Sequence, residues 1–308
     1  MENNNQQQIE QVKNARKRFF RVWSPVLIQQ LGTYLIIICV MAAITMAYVV
    51  ANPSLMGDSV GSQEWMNEMY KLAETITLKY QVIASGIAST LLLIPFGIMF
   101  YQDRKKERGL SSAPTKKAGI AKYGYLIITA VALHFVLNSL IFIAHVLEKD
   151  EYYAQTQEMI YAAPLWAQIL FLGICGPLLE ELVYRGLVFK RMREKQSFIG
   201  SALLSTGMFA FLHGNVVQML YSFALGMLFC YVYEKYGRVI APMAAHVLLN
   251  LLSIILTAAG FYEVLLKNEM VLMISTVIVA GIGAMAFMGI RSIKEKSDEV
   301  QGEKLTAN

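Results

Sequence analysis

Repeated apolar runs of near-membrane length constrain the fold of this chain more than any other feature. About 20 apolar residues in a helix cross the hydrocarbon core of a bilayer. Because lipid cannot hydrogen-bond backbone groups, a run of this length spans as an α-helix. The sequence therefore predicts an all-α, polytopic membrane helical bundle with about eight transmembrane helices. We place the spans near residues 26–50, 80–101, 123–147, 162–189, 198–213, 216–233, 239–259 and 270–290.

Composition agrees with a membrane protein and argues against a nucleic-acid partner. The chain is 56% hydrophobic and 16% charged, whereas a soluble domain has about a quarter of its residues charged. The net charge of +5 comes from basic residues that flank the spans, so membrane topology explains it. The three cysteines lie in apolar runs without Cys-x-x-Cys spacing, which favours buried thiols over a disulfide framework or a zinc site.

The distribution of Lys and Arg predicts the orientation in the membrane. Of the 27 basic residues, 22 lie in the N-terminal arm, in alternate connections and in the C-terminal tail. Because cytoplasmic segments carry the excess of Lys and Arg, both termini are expected to be cytoplasmic, in a multi-pass protein of the cell membrane. Val49-Val50-Ala51 weakly resembles a signal-peptide cleavage site, but the apolar run before it is longer than usual for such a peptide.

The chain divides into five predicted regions on this basis. They are a cytoplasmic basic arm (1–25), three transmembrane helices with their loops (26–159), a catalytic core of four helices (160–258), a last transmembrane helix (259–290) and a cytoplasmic tail (291–308). We expect the third of these regions to carry the functional site, because polar residues interrupt its apolar spans.

Two adjacent acids and an arginine interrupt the fourth span. Ionisable residues inside a membrane segment are costly and mark a functional site by default. Glu181 and Arg185 have the i,i+4 spacing of an ion pair along one helix face, which leaves Glu180 free to face a cavity. Gly176-Pro177 should break the helix, and would place both acids in the first turn of a restarted helix, where the dipole favours negative charge.

Further polar residues occur in two later spans. His213 ends an apolar segment before Gly214-Asn215, and His246 and Asn250 share one helix face by their i,i+4 spacing. One polar catalytic cavity that opens toward the cytoplasm would explain all of these residues together. An intact fifth span would place His213 too deep, so this helix either begins above the membrane surface or is short and broken at His213-Gly214. We favour the second, because Gly214-Asn215 is a good helix stop. His134 repeats the same spacing with an asparagine but has no acid nearby, so we leave it out of the catalytic set.

The three motifs, taken together and in order, resemble one known family. They are Glu180-Glu181-x-x-x-Arg185, Phe209-x-x-x-His213 and His246-x-x-x-Asn250. This set resembles the CAAX protease and bacteriocin-processing family (CPBP), whose members are intramembrane proteases related to the CAAX prenyl endopeptidase. The resemblance covers roughly residues 160–255.

The resemblance implies an intramembrane endopeptidase that hydrolyses a peptide bond of a membrane-associated protein or peptide. In such an enzyme Glu180 would be the general base that activates water, with His213 assisting. His246 and Asn250 would polarise the scissile carbonyl and hold the oxyanion, while Glu181 and Arg185 would position them. The implied partners are a membrane-embedded or membrane-associated substrate and the lipid bilayer, with no nucleic acid.

A catalytic metal is an open alternative within the same reading. Glu180, His213 and His246 could hold a zinc ion with a water in the fourth position. The sequence lacks His-Glu-x-x-His, the pattern that identifies a zinc protease directly. We therefore favour a mechanism without a cofactor or metal, and keep zinc as the alternative.

Two other classes of function fit the same polar residues. A membrane transporter or ion-binding protein would place acids and histidines near the bilayer midplane, although the inverted repeats typical of that class are not visible in this sequence. A bacteriocin self-immunity protein without catalytic activity is the other alternative. Loss of function on Glu180→Gln separates an enzyme from both.

Overall fold

The computed structural model describes residues 2–56, 60–110, 118–144 and 150–293, and these form a bundle of helices. In chain order the helices are α1 (Glu2–Ala51), α2 (Gln63–Leu110), α3 (Tyr123–Ile143), α4 (Glu151–Ala162), α5 (Leu165–Arg193), α6 (Phe198–Phe211), α7 (Val216–Tyr236), α8 (Ile240–Ala258), α9 (Phe261–Leu265) and α10 (Glu269–Arg291). No β-strand occurs in the described ranges. The all-α prediction is therefore confirmed.

Seven of the described helices are long and apolar enough to cross a membrane, namely α1, α2, α3, α5, α7, α8 and α10. The remaining predicted span, α6, is apolar but has only 14 residues. It stops where the sequence predicts a break, because Gly214 adopts a left-handed φ of 81°, and Asn215 then caps α7 by accepting the N–H of Gln218 at 2.8 Å. A polytopic membrane bundle is confirmed, and the fifth predicted span is short, as expected.

Ion pairs and hydrogen bonds join the basic connections at one end of the bundle. Arg191 donates from Nε to Asp103 Oδ2 at 2.6 Å and from Nη1 to the carbonyl of Arg21 at 2.5 Å. The hydroxyl of Tyr236 donates to the carbonyl of Lys122 at 2.7 Å. We call this end, where α2, α5 and α7 terminate, the basic end. The tail from residue 294 onward lies outside the described residues.

The opposite end, which we call the distal end, carries the short helices α4 and α9. Asp150 links two elements there, since Oδ1 accepts the N–H of Tyr153 in α4 at 3.0 Å and Oδ2 accepts the N–H of Val217 in α7 at 3.1 Å. Desolvation raises the pKa of Asp150, but the backbone N–H groups that donate to its carboxylate lower it by more, so the pKa falls below its usual 3.8.

Gly176-Pro177 does not break α5, contrary to the sequence prediction. The turns over Gln168–Cys175 and Leu182–Phe189 are π-helical, and the N–H of Gly176 donates to the carbonyl of Phe171, five residues back. These wider turns accommodate a proline because they shift the carbonyl with which its ring would otherwise clash. Glu180 and Glu181 consequently lie within a continuous helix and receive no stabilisation from a helix N-terminus.

Candidate active site

A buried ion pair forms the base of the site. Arg185 donates from Nη1 to Glu181 Oε1 at 2.8 Å, and both side chains are fully buried, with 0% exposure. The guanidinium lies over the rings of Phe209 and Phe229, at 4.4 and 5.4 Å from their centroids. Burying two such charges is costly unless their geometry is good, and the flanking aromatic faces add cation–π attraction. The i,i+4 pairing expected from the sequence is present.

His246 extends this pair toward Glu180. Its Nδ1 lies 2.9 Å from Glu181 Oε1, and because a carboxylate only accepts, Nδ1 carries the proton. In the neutral ring Nε2 is then the basic nitrogen, and it lies 3.7 Å from Glu180 Oε2. Glu180 is the more accessible acid, with 29% of its side chain exposed. Glu181 therefore orients His246, while Glu180 faces the reactive side of the ring.

Phe209 connects the two histidines that the sequence singles out. Its ring centroid lies 4.8 Å from that of His213 and 6.1 Å from that of His246. His213 donates from Nδ1 to the Phe209 carbonyl at 2.8 Å, which leaves its Nε2 as the acceptor. Within the described residues His213 makes no ion pair with Glu180. The structure thus groups Glu180 with His246 and places His213 one aromatic ring away.

Asn250 occupies its position because of the proline in α5. Gly176 uses the carbonyl of Phe171, and Pro177 has no N–H for the next carbonyl, that of Leu172. Asn250 satisfies this carbonyl by donating from Nδ2 at 2.9 Å. Its amide has a second N–H and an acceptor oxygen that this bond does not use. The helix therefore continues through Gly176-Pro177, and a hydrogen bond from α8 satisfies the carbonyl that the proline leaves without a donor.

A cavity of about 390 Å³ adjoins Asn250. It is lined by the ends of α3 and α8, the starts of α5, α7 and α10, and the short helices α4 and α9. All of these elements meet at the distal end, which short, partly exposed helices cover. Because Glu180 and His246 do not line this cavity, a catalytic cavity that opens toward the cytoplasm stays a prediction.

Beside this cavity lies His134, which the sequence leaves outside the catalytic set. The ring is buried, with Nδ1 hydrogen-bonded to the hydroxyl of Tyr221 and Nε2 3.1 Å from the hydroxyl of Tyr262. Its i+4 neighbour Asn138 donates to the His134 carbonyl at 2.8 Å. His134 therefore supports the cavity wall and does not join Glu180. His145 lies outside the described residues.

Sequence reasoning missed the residues that enclose the arginine. Phe229 covers one face of Arg185, and a Cβ on Gly226 would lie 2.7 Å from Arg185 Nη2 and 2.6 Å from Thr206 Cγ2. All three are ordinary in a membrane helix, and they lie one helix (Thr206) or two helices (Gly226 and Phe229) after α5 along the chain. Nothing in the sequence pattern marks them, because their role depends on tertiary packing.

The donor set does not assemble a zinc site among the described residues. Within these ranges no group of three His, Cys, Asp or Glu side chains is placed to hold a metal ion. Glu180 and His246 could supply two donors, but His213 is not grouped with them, and a catalytic zinc takes three protein ligands. The mechanism without a metal therefore stays the prediction and zinc the alternative, and a chelation experiment separates them.

The segment that carries these residues is similar to a known protein family. Residues 162–252 match the family model described as Type II CAAX prenyl endopeptidase Rce1-like. The predicted family is confirmed for this segment. The Rce1-like segment falls within the predicted core of residues 160–258 and includes each of the three motifs.

A curated relative matches over a similar length. The chain is 31% identical over 99 residues to "Putative membrane peptidase YdiL" of Bacillus subtilis (strain 168). The match covers 32% of this chain and 40% of that protein, so it spans about two fifths of the length of the relative. No solved structure gives a significant match.

Proposed function

We propose that this protein is a membrane-embedded endopeptidase in which Glu180 activates water to hydrolyse a peptide bond of a membrane-associated protein or peptide. One observation carries the proposal. The accessible Glu180 lies beside Nε2 of a histidine whose other nitrogen is fixed by the buried Glu181–Arg185 pair. The match of this segment to a prenyl endopeptidase family supports the same reaction class.

The geometry allows a balanced hydrolysis. Glu180 takes a proton from water, the water oxygen bonds to the peptide carbon, and the carbonyl oxygen becomes an oxyanion. Glu180 passes this proton to Nε2 of His246, which lies 3.7 Å away and which Glu181 orients. That N–H then hydrogen-bonds the oxyanion together with the second N–H of Asn250. When the C–N bond breaks, the carbonyl of the new carboxyl group forms again and the leaving nitrogen takes the proton held by His246. His213 would assist through the Phe209 ring, which it contacts at 4.8 Å between centroids.

We further propose that the protein lies in the cell membrane with its basic end in the cytoplasm. The interactions that join Arg21, Asp103 and Arg191 gather the basic connections at one end of the bundle, as the positive-inside rule requires of a single compartment. Both termini would then be cytoplasmic, and the distal end would face the outside.

The test is cleavage of a membrane-peptide library by the purified protein and by Glu180→Gln, with Glu74→Gln as a matched control. Glu74 is exposed on α2, far along the chain from the site. We expect Glu180→Gln to abolish cleavage and Glu74→Gln to leave it unchanged, each with and without a strong chelator. Loss of wild-type activity on chelation would replace the metal-free mechanism by the zinc alternative. Equal cleavage by Glu180→Gln would refute the role of Glu180, and a wild type that never cleaves would favour the transport or immunity readings.

A further inference from the structure

We propose that the distal cavity binds an uncharged stretch of the peptide substrate and delivers it to the site from the distal end. This inference rests on the proposed function and adds to it a substrate class and a direction of approach. It depends on the chemistry of the cavity wall, on the depth to which the cavity reaches, and on the helices that cover it.

The wall is mostly apolar, with polar groups among the apolar ones, and carries no full charge. Among the described residues that line the cavity, none is Asp, Glu, Lys or Arg. Five lining residues are primary amides, namely Asn138, Gln157, Gln168, Gln218 and Asn250. Each amide both donates and accepts hydrogen bonds, as does each peptide unit of a bound chain. A charged side chain would find no partner there, and burying an unpaired charge is far more costly than burying a paired polar group.

The cavity extends inward to the catalytic region. Asn250 and Leu172 both line it, and their hydrogen bond ties its inner wall to α5. His246 lies one helical turn beyond Asn250 on the same face of α8, a rise of about 6 Å along the helix axis. Glu180 and His246 do not line the cavity themselves, so a peptide held there would contact Asn250 and lie about one helical turn from His246.

Two short helices cover the cavity with one face each. Tyr153, Gln157 and Tyr161 line it at i,i+4,i+8 along α4, while Gln155 on the other face is exposed. Tyr262 lines it from α9, and its hydroxyl contacts the buried His134. The hydroxyl of Tyr221 is held by the same ring. The polar groups of the wall are therefore fixed in position before a peptide binds, which lowers the entropy cost of binding.

Site-specific photo-crosslinking in the full chain tests this inference directly. The photoreactive residue p-benzoylphenylalanine replaces Gln157 on the cavity face of α4 or, as the control, Gln155 on the exposed face. Both variants carry Glu180→Gln, so that bound peptide persists, and are placed in lipid nanodiscs. The probes are two libraries of end-capped peptides of equal length. One is built from Ala, Leu, Ser, Asn and Gln, and the other has two Lys and two Glu in every peptide.

With the uncharged library, we expect at least about tenfold more crosslinking at position 157 than at position 155. At position 157, we expect about tenfold more crosslinking with the uncharged library than with the charged one, which corresponds to a difference of roughly 1.4 kcal/mol in binding free energy. Equal labelling at the two positions, equal labelling by the two libraries, or labelling of lipid alone at position 157 would overturn the inference. Cleavage by the Glu180-intact protein is measured separately. Cleavage without selective labelling refutes the distal route but leaves the protease intact, whereas selective labelling without cleavage supports peptide binding and refutes proteolysis.

Discussion

Replacement of Glu181 by Gln tests the buried pair at the centre of the site. The change keeps the shape of the side chain but removes its charge, so the guanidinium of Arg185 is left buried without its counter-ion. Breaking a fully buried pair from one side costs about 3–5 kcal/mol, a large part of the ~5–15 kcal/mol of a typical domain. The measurement is the free energy of unfolding in detergent micelles.

The control is Glu194→Gln at the exposed pair with Arg21, where the side chains are 36% and 42% exposed. Exposed pairs contribute about 0–1 kcal/mol, so this variant should remain close to wild type in stability. A Glu181→Gln variant as stable as Glu194→Gln would refute the assignment of a charged, buried pair.

A double variant separates the structural role of Glu181 from its positioning role. In Glu181→Gln with Arg185→Met no uncompensated charge remains, so much of the lost stability should return. Cleavage should stay lost, because Nδ1 of His246 still lacks its carboxylate. If the double variant regained activity together with stability, the orientation of His246 by Glu181 would not matter to the reaction.

Two further changes test the packing around the site and the distal end. Gly226→Ala should destabilise the protein by about 1–3 kcal/mol in thermal unfolding, because the added methyl group would overpack against Arg185 and Thr206. The control is Gly207→Ala, which has open space around it and should be neutral or slightly stabilising. Similar losses of stability in both variants would refute the close contact at Gly226. Asp150→Asn should weaken the link between α4 and α7, because Asn has one acceptor oxygen where the carboxylate has two. Since the folded-state pKa of Asp150 lies below 3.8, the stability advantage of the wild type over Asp150→Asn should be complete above about pH 4 and decline as the pH falls through that lowered value; an advantage independent of pH down to pH 2 would contradict it.

Residue spacing along the chain predicts the structural features that depend on a single helix, whereas the features that depend on contacts between helices could not be predicted. The Glu181–Arg185 pair and the stop after α6 follow from residues four or fewer apart, so both could be predicted from the sequence. The continuity of α5 could not, because it depends on π-helical turns that the sequence does not signal. The cavity at the distal end could not be predicted either, since its lining comes from seven helices whose relative positions the sequence does not specify.

The contacts of the two histidines were also only partly predictable from the sequence. His246 and Asn250 share a face of α8 as expected, but each binds a different partner on α5, namely Glu181 and the carbonyl of Leu172. His213, which we expect to assist Glu180, lies just past the end of α6 and hydrogen-bonds to the carbonyl of Phe209, so its role stays a prediction. Residue order along the chain indicated which groups cluster, while only the packing of α6 against α5 shows which of them are in contact.

The hydrogen bond from Asn250 to Leu172 has a consequence for the order in which this protein is assembled. Until α8 arrives, α5 carries an acceptor that Pro177 cannot satisfy, together with an arginine and two acids that lack the histidine. Because α5 is synthesised before Asn250, the carbonyl of Leu172 has no hydrogen-bond partner from α8 until that later helix is made. The arrangement of Glu180, Glu181 and His246 can therefore form only after a late segment of the chain has inserted.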